Sequence, residues 1–310
     1  MELIDIILTA GRSAVDIAFF LLLPIMVVML FLMRMLEAWG VLDWIVVRLA
    51  PILKPAGLTG LSVFAALQVN FVSFAAPIAT LSIMQHRGSS DRHLAATLAM
   101  ILAMAQGNVM FPFAAIGLHL GPTLLFSLVG GVIAAASTYY LFGRSLSTRE
   151  ASIDETIAHP TAEGAKGVLD VINRAGAEAF KIAVGTIPML VLSLMVITYL
   201  RSIGVLDWVT LQITPVLAQL GIDPVIVLPT LTKIMGGGTA MMGLVTDMHR
   251  SGLIDAKVLN ESAGWLIHTF DIPGVAIILS AGRRVAAVWK PAALGACVGI
   301  ALRALVHVAI

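Results

Sequence analysis

The stretch best suited to hold a solute is KIMGGGTAMMGLVTD, residues 233–247, which lies inside a strongly apolar region of the chain. A glycine inside a helix costs about 1 kcal/mol relative to alanine, so three in a row predict a break. Backbone freed at membrane depth is tolerated only where it is buried in protein or lines a wet cavity. We therefore predict a broken helix or re-entrant hairpin tip that forms half of a solute site. Its predicted substrate-binding residues are Lys233, Gly236, Gly237, Gly238 and Thr239.

A second group of polar residues follows in the next apolar segment, where Glu261, His268 and Asp271 are regularly spaced. Glu261 and His268 are seven residues apart, which places them within about 20° of each other on a helix, and Asp271 falls close to the same face. Because histidine can change its charge near neutral pH, these three residues are predicted to couple transport to an ion, H+ or Na+. Pro273 and Gly274 should then break the helix.

The first half of the chain carries polar residues in two corresponding apolar segments. QVNFVSFAAP supplies Gln68, Asn70 and Ser73, and MAQGNVMFP supplies Gln106 and Asn108. Interrupted hydrophobic segments at matching positions of two halves are typical of transporter binding sites. All five residues are therefore predicted to bind the substrate.

Several of these polar residues also suit purely structural roles. Gln68, Asn70 and Ser73 could instead form hydrogen bonds between neighbouring helices. Lys233 could extend along apolar surface to an interface, and Glu261 lies near the start of its segment, where an interfacial position is equally compatible. A lone histidine in such a segment is more often part of the core.

An internal duplication relates the elements that position these residues. Residues 5–18 align with 170–183 at 7 of 14 identical positions, and residues 24–57 align with 188–221 at 12 of 34. The second alignment includes the run GVLDW, found at 40–44 and 204–208. Chance rarely preserves such a run in register, so the chain is predicted to consist of two homologous halves.

Each half has the same predicted parts. An amphipathic lead-in enters an apolar helix, followed by a GVLDW-initiated helix of about 12 residues, which is too short to span a bilayer. Trp44 and Trp208 fit an interfacial position for that short helix. A polar-interrupted segment and two further apolar segments complete each half. The corresponding ranges are about 3–37, 41–51, 59–84, 94–117 and 121–143, and about 166–201, 205–215, 223–248, 258–281 and 287–309.

Composition places the chain in a membrane: 59% of its 310 residues are hydrophobic and 12% are charged, against about 25% charged in soluble domains. The predicted fold is an all-α polytopic integral membrane protein with two homologous halves, parallel or inverted, at 1–143 and 168–310, joined by a polar linker, 144–167. The net charge of +1 gives no indication of nucleic-acid binding. With Cys297 as the lone cysteine, no disulfide framework, metal site or cofactor is predicted.

The topology relative to the membrane is partly predictable. Arg144, Arg149 and Lys166 favour a cytoplasmic linker, and the basic loop 85–93 against the uncharged loop 117–122 agrees with that. In the second half the loops 249–257 and 282–290 are both basic, so charge alone gives contradictory assignments.

The doubled arrangement, the segment KIMGGGTAMMGLV and its counterpart QVNFVSFAAPIAT resemble the nucleoside recognition or Gate domain superfamily. That group includes spore maturation proteins A and B, the gate part of concentrative nucleoside transporters and the membrane part of bacterial ferrous iron transporters. The resemblance implies hairpin tips that meet near the membrane midplane, with Asn70 and Ser73 facing the three glycines and Thr239. In the first half, SFAAP replaces the triple glycine, so the two tips should bind different groups.

These patterns predict a secondary transporter of a small polar organic solute, with a nucleoside or related metabolite implied by the resemblance. We expect a multi-pass protein of the bacterial inner membrane that contacts the lipid bilayer, its solute, a coupling ion and further copies of itself as a homo-oligomer. It is predicted not to be an enzyme, because no HExxH, GxSxG or P-loop is present. The alternatives are a non-transporting partner in envelope assembly or maturation, and an ion permease.

Overall fold

The computed structural model describes residues 3–149, 167–219 and 222–309. In these ranges all regular structure is helical, as the composition predicts. Most of the predicted linker, residues 150–166, lies outside the described residues.

The first half begins with one long helix that combines the predicted lead-in and apolar segment. Helix α1 continues through a π-helical turn, Ile17–Leu22, into α2, so that Leu3–Ala38 is continuous. The helices of this half are α1 (Leu3–Asp16), α2 (Leu23–Ala38), α3 (Val41–Leu53), α4 (Gly60–Phe71), α5 (Ile78–His86), α6 (Asp91–Ala103), α7 (Gly107–Ala114) and α8 (Leu120–Ser137).

The second half repeats this order. Its helices are α9 (Val168–Ser202), α10 (Val205–Gln219), α11 (Val227–Arg250), α12 (Ala256–Leu266), α13 (Ile272–Leu279), α14 (Arg283–Ala287) and α15 (Trp289–Val308). The short helices α3 and α10 start at the two GVLDW runs, and Trp44 and Trp208 are 64% and 63% exposed. This exposure agrees with the predicted interfacial position.

Among the described residues, six helices are long and apolar enough to cross a membrane, or up to seven if a bent pair is counted as one span. One of them, Asp91–Ala114, is 94% buried over its most apolar stretch and therefore lies inside the bundle. Each half starts with one long helix, and these two helices are far less buried over their most apolar stretches, at 28% and 22%. The prediction of a polytopic all-α membrane protein is thus confirmed.

The first predicted re-entrant segment is a helical hairpin formed by α4 and α5. Thr80 on α5 donates a hydrogen bond to Gln68 Oε1 on α4 at 2.7 Å, so the two arms pair across a tip at residues 72–77. Thr59 caps the start of α4 by accepting from the Ser62 N–H. The chain thus enters and leaves this segment on one side.

The second re-entrant segment is α11, which is broken at Gly237 (φ 80°, ψ 175°). Before the break, Thr230 accepts a hydrogen bond from Trp265 Nε1 at 3.0 Å, and Lys233 pairs with Asp271. The first arm of α11 therefore runs in the same direction as α12, away from the start of α12.

After Gly237 the chain must return, because α11 ends at Arg250 and α12 begins at Ala256. By length α11 qualifies as a membrane span, but its first arm leads away from the end at which its second arm finishes. It is a second helical hairpin whose tip contains the three glycines. This is the predicted tip.

The two halves are inverted relative to each other. Arg34, near the end of α2, donates to Glu178, near the start of α9, with Nη2–Oε2 at 2.9 Å. If the two long helices were parallel, the contact between Arg34 and Glu178 would place α1 beside residues that precede α9. Instead, α1 packs along α9 itself. The long helices are therefore antiparallel. Because they are equivalent by sequence repeat, their opposite directions indicate inverted repeats.

Two basic loops and the basic end of the first half lie on one face of the bundle. The Arg92 N–H donates to Ser147 O at 3.2 Å, which joins loop 85–93 to the end of the first half. Arg284 Nε donates to Asp91 Oδ1 at 3.0 Å, which brings loop 281–284 to the same face.

The opposite face is formed by other loops. The His119 N–H donates to Asn260 Oδ1 at 2.8 Å, and Asn260 Nδ2 donates to Gly117 O at 2.9 Å. Loop 249–257 therefore lies on the face opposite to loop 281–284, and the contradiction in the charge pattern is resolved by geometry.

Candidate functional site

The interrupted spans α6–α7 and α12–α13 meet at their breaks in the middle of the protein. Gln106 Nε2 donates to His268 O at 2.9 Å, and the Thr269 N–H donates to Leu102 O at 3.1 Å. Gln106 and His268 are 1% and 6% exposed. Two pieces of non-helical backbone, one from each half, thus satisfy part of their hydrogen bonding through each other.

The glycine tip of α11 packs directly against these breaks. A Cβ on Gly238 would overlap the side-chain amide of Gln106, and a Cβ on Gly237 would lie 3.4 Å from Asp271 Oδ1. Asn108 Nδ2 donates to Thr239 Oγ1 at 3.2 Å. The absence of side chains at the tip is what permits this close approach of the hairpin to both breaks.

A buried ion pair joins the tip to the second break. Lys233 Nζ bonds to Asp271 Oδ2, with side chains only 2% and 3% exposed. Asp271 also caps α13, because its Oδ1 accepts the Gly274 N–H at 2.7 Å. A single carboxylate therefore fixes the lysine of one segment and the start of the next helix.

A small cavity of about 80 Å³, here called the inner cavity, lies where these groups converge. Its walls include Phe74 of the first hairpin tip, Gln106, the three glycines, Thr239 and Asp271. Gln106 Oε1 and the nearby Asn108 Oδ1 are buried without a hydrogen-bond partner in the structure. Buried polar atoms are rarely left unsatisfied, so these two oxygens are ready acceptors for a polar ligand.

A larger cavity of about 600 Å³, here called the outer cavity, lies on the other side of the ion pair. Lys233, Trp265, His268 and Asp271 line it together with apolar side chains such as Ile300. Asp271 borders both cavities and Lys233 borders the outer one, so the ion pair lies where the two cavities adjoin.

The predicted polar residues of the first hairpin are mostly used within the first half. Gln68 accepts from Thr80, and Asn70 donates to Ala66 O at 3.0 Å and accepts from Ser127 Oγ at 2.7 Å. Ser73 is buried without a partner for its hydroxyl in the structure. Gln68 and Asn70 therefore have hydrogen-bond partners inside their own half, which agrees with the alternative that they bond neighbouring helices.

The expectation that Glu261, His268 and Asp271 share one helical face is wrong, because α12 ends at Leu266. His268 and Asp271 lie in the break, where helical spacing does not apply. Glu261 is on α12, 38% exposed, with Oε1 at 3.7 Å from Lys257 Nζ. The structure does not bring Glu261 to the ion pair.

Two residues that support the site were not among the predicted ones. Ser127 accepts the Ala105 N–H at 2.8 Å while donating to Asn70, and Arg303 Nη1 donates to Ala103 O. A serine in an apolar helix gives no sequence signal. An arginine inside the apolar segment 289–308 does give one, since charged residues at membrane depth are costly and usually functional.

Replacing Ser127 by alanine is expected to lower the free energy of unfolding by about 1–3 kcal/mol, the cost of leaving buried polar groups without partners. The change strands the Ala105 N–H and Asn70 Oδ1 in a fully buried position. A decrease in melting temperature in detergent would measure it. The matched change at exposed Ser280, whose hydroxyl bonds within its own helix, should leave the melting temperature unchanged; equal effects at both positions would contradict the supporting role.

Comparison with known proteins agrees with the predicted resemblance. Residues 19–123 match the Gate family model, described as nucleoside recognition. That description concerns recognition and not an enzymatic reaction, in line with the prediction that the chain is not an enzyme. No match to the chain was found among curated proteins.

Solved structures share the fold over nearly the whole chain. CNTnw in an inward-facing, substrate-bound state matches with a TM-score of 0.66 and 16% identity over 98% of this chain and 80% of that one. A CNTnw variant in an outward-facing state gives 0.66 and 17% over 98% and 81%. A variant in an intermediate state gives 0.68 and 16% over 99% and 83%.

Proposed function

Because residues 19–123 match the nucleoside recognition family and the whole chain has the fold of CNTnw, we propose that this protein is a secondary transporter of a small polar organic solute, of the nucleoside class. The proposal places the solute at the inner cavity, between the glycine tip and the two helix breaks.

The observation that carries this proposal is the presence of two buried acceptors without partners at and beside the inner cavity. Gln106 Oε1 and Asn108 Oδ1 have no partner in the structure, and both side chains are held by bonds from their amide nitrogens to the second half. Acceptors held in place in this way suit the N–H and O–H donors of a base or sugar. Asp271 and the glycine backbone supply the facing wall.

The inner cavity is too small for a complete nucleoside in this conformation. It measures about 80 Å³, whereas ligand pockets typically measure about 300–1,000 Å³. Under the proposal this conformation is not the one that holds the solute, and binding requires the first tip at Phe74 or the glycine tip to move. Both are ends of hairpins, which can move without rearranging the spans.

The remaining assignments follow the same proposal. The halves 1–143 and 168–310 act as the two inverted repeats, and the face that carries loops 85–93 and 281–284 is cytoplasmic because of its arginines. In a bacterium this corresponds to the inner membrane. A proton or Na+ is the predicted coupling ion; of the predicted coupling residues, Asp271 lines the inner cavity and His268 lines the outer cavity.

The test is binding of nucleosides to the purified protein in detergent, followed by uptake into proteoliposomes. Uridine or adenosine should raise the melting temperature, since a ligand at about 100 times its Kd stabilises by roughly 2.7 kcal/mol. The Gln106→Ala variant should weaken that binding about tenfold or more, corresponding to at least 1.4 kcal/mol.

A control for this substitution is Gln212→Ala, which alters an exposed glutamine on the interfacial helix α10. It should bind the nucleosides as the unchanged protein does. Absence of any nucleoside effect on the unchanged protein, or equal binding by the Gln106 variant, would refute the proposed site. Stabilisation by amino acids or organic acids instead would retain a transporter but change its solute class.

A further inference from the structure

The lysine of the glycine segment lies beside a buried carboxylate at the second helix break. Lys233 Nζ bonds to Asp271 Oδ2 in the interior, and the pair lies where the inner and outer cavities adjoin. Each charge is buried almost completely, so water solvates neither of them. Removal of one partner would leave the other charge buried without compensation, which is strongly destabilising.

Both carboxylate oxygens of Asp271 already accept a hydrogen bond. Oδ1 accepts the Gly274 N–H at 2.7 Å, and Oδ2 is bonded to the lysine. Thr269, two residues before Asp271, has a buried hydroxyl without a hydrogen-bond partner among the described residues. A metal cation at this carboxylate would lie beside the Lys233 ammonium, whose positive charge would repel it.

The surrounding charge also opposes an additional cation. Arg303 is 1% exposed, donates to Ala103 O, and forms no ion pair with a carboxylate among the described residues. Its Nε and Nη2 have no partner there either. Ala103 is next to Leu102, whose carbonyl accepts from Thr269. The region around the breaks therefore contains two fixed positive charges and one negative charge.

We propose that the Lys233 ammonium is a resident cation of the solute site, so that solute binding needs no added metal cation. Resting on the proposed function, this makes Asp271 a fixed counter-ion and not a coupling-ion ligand. Removal of the lysine side chain leaves an ammonium-shaped space beside a buried carboxylate, open to the outer cavity. That space is a binding site for a small primary alkylammonium ion.

The experiment compares the unchanged protein with Lys233→Ala in buffers that contain sodium, potassium or choline as the only added cation. The unchanged protein should bind uridine or adenosine equally well in all three. Binding by Lys233→Ala should be weaker by about tenfold or more, because the buried carboxylate loses its partner. Ethylammonium should restore the binding, whereas tetramethylammonium, which has no N–H group to donate, should not.

A second readout needs no solute. Ethylammonium should raise the melting temperature of Lys233→Ala and leave that of the unchanged protein as it was. The matched variant Lys257→Ala removes an exposed lysine that lies 3.7 Å from Glu261, and it should respond to neither ammonium ion.

The outcomes separate the two proposals. Sodium-dependent nucleoside binding by the unchanged protein would overturn the resident cation and leave the transporter proposal standing. Failure of the unchanged protein to bind nucleosides, together with thermal rescue of Lys233→Ala by ethylammonium, would overturn the solute class alone. Absence of both thermal rescue and binding rescue would also overturn the resident cation.

Discussion

The Asp271→Asn variant is expected to lose about 3–5 kcal/mol of stability, the range for removal of one partner from a buried ion pair. The asparagine can still cap α13 through its oxygen, but its amide presents a donor to the buried ammonium of Lys233, where the carboxylate accepted. Thermal unfolding of the purified protein in detergent measures the loss. Nucleoside binding should disappear with it.

The chain contains a matched control for the capping role. Asp255 caps α12 by accepting the Val258 N–H at 2.8 Å, is exposed, and has no cation partner in the structure. Asp255→Asn should change stability by only a few tenths of a kcal/mol, since aspartate and asparagine are similar N-caps. A similar loss in both variants would show that capping, and not the ion pair, dominates.

The double variant Lys233→Met, Asp271→Asn separates structure from function. Neutral replacement of both partners of a buried pair is often tolerated, so the double variant should be more stable than Asp271→Asn alone. It should nevertheless fail to bind nucleosides, because the charge at the site has gone. Recovery of binding together with stability would show that the pair has a purely structural role.

Local sequence signals were sufficient for the elements of this fold. The GVLDW runs begin α3 and α10, and the three glycines produce the break at Gly237, because a φ of +80° is accessible to glycine and strained for other residues. Pro273 and Gly274 predicted a break in the second half, and the structure has it just before them, at residues 267–271. These features depend on short stretches of chain, which is why the sequence alone revealed them.

Predictions that required a tertiary arrangement were less successful. The face shared by Glu261 and His268 assumed a helix that in fact ends at Leu266. The antiparallel packing that reveals inversion depends on the contact between Arg34 and Glu178, which are 144 residues apart. Charge patterns could not reveal it.

The partners of the site residues show the same limit. Gln106 bonds to His268 across 162 positions, and Asn108 bonds to Thr239 across 131. The sequence marked all four as polar residues in apolar segments but contained no information on their pairing. By contrast, Asn70 was equally prominent in sequence and is bonded within its own half.

The broken helix at the glycine tip is expected to tolerate no side chain at Gly237 without backbone strain. Gly237→Ala places a side chain at φ 80° and ψ 175°, a region that is essentially restricted to glycine and costs about 1–3 kcal/mol for other residues. The local backbone should shift to a less strained conformation and move the tip away from Asp271. We expect loss of nucleoside binding in protein that still inserts and purifies, measured by the thermal shift with uridine.

Gly176→Ala is the control, since Gly176 lies in helix α9 and a Cβ added there would have no neighbouring atom within 4 Å. Alanine there should preserve binding and add up to about 1 kcal/mol of stability, the difference in helix propensity. Equal behaviour of the Gly237 and Gly176 variants would mean that the break has no part in the site.

A substitution at Gly238 would test the packing of the glycine tip against Gln106 of the first half. The Cβ of Gly238→Ala would overlap the Gln106 amide, so the variant should displace Gln106 from His268 O and lower the melting temperature. Adding Gln106→Ala removes the overlapping group, and the double variant should recover part of that stability while nucleoside binding stays lost. Such non-additivity is expected only of residues in contact. Additive losses would place the glycine tip away from Gln106 and contradict the convergence of the two halves at the inner cavity.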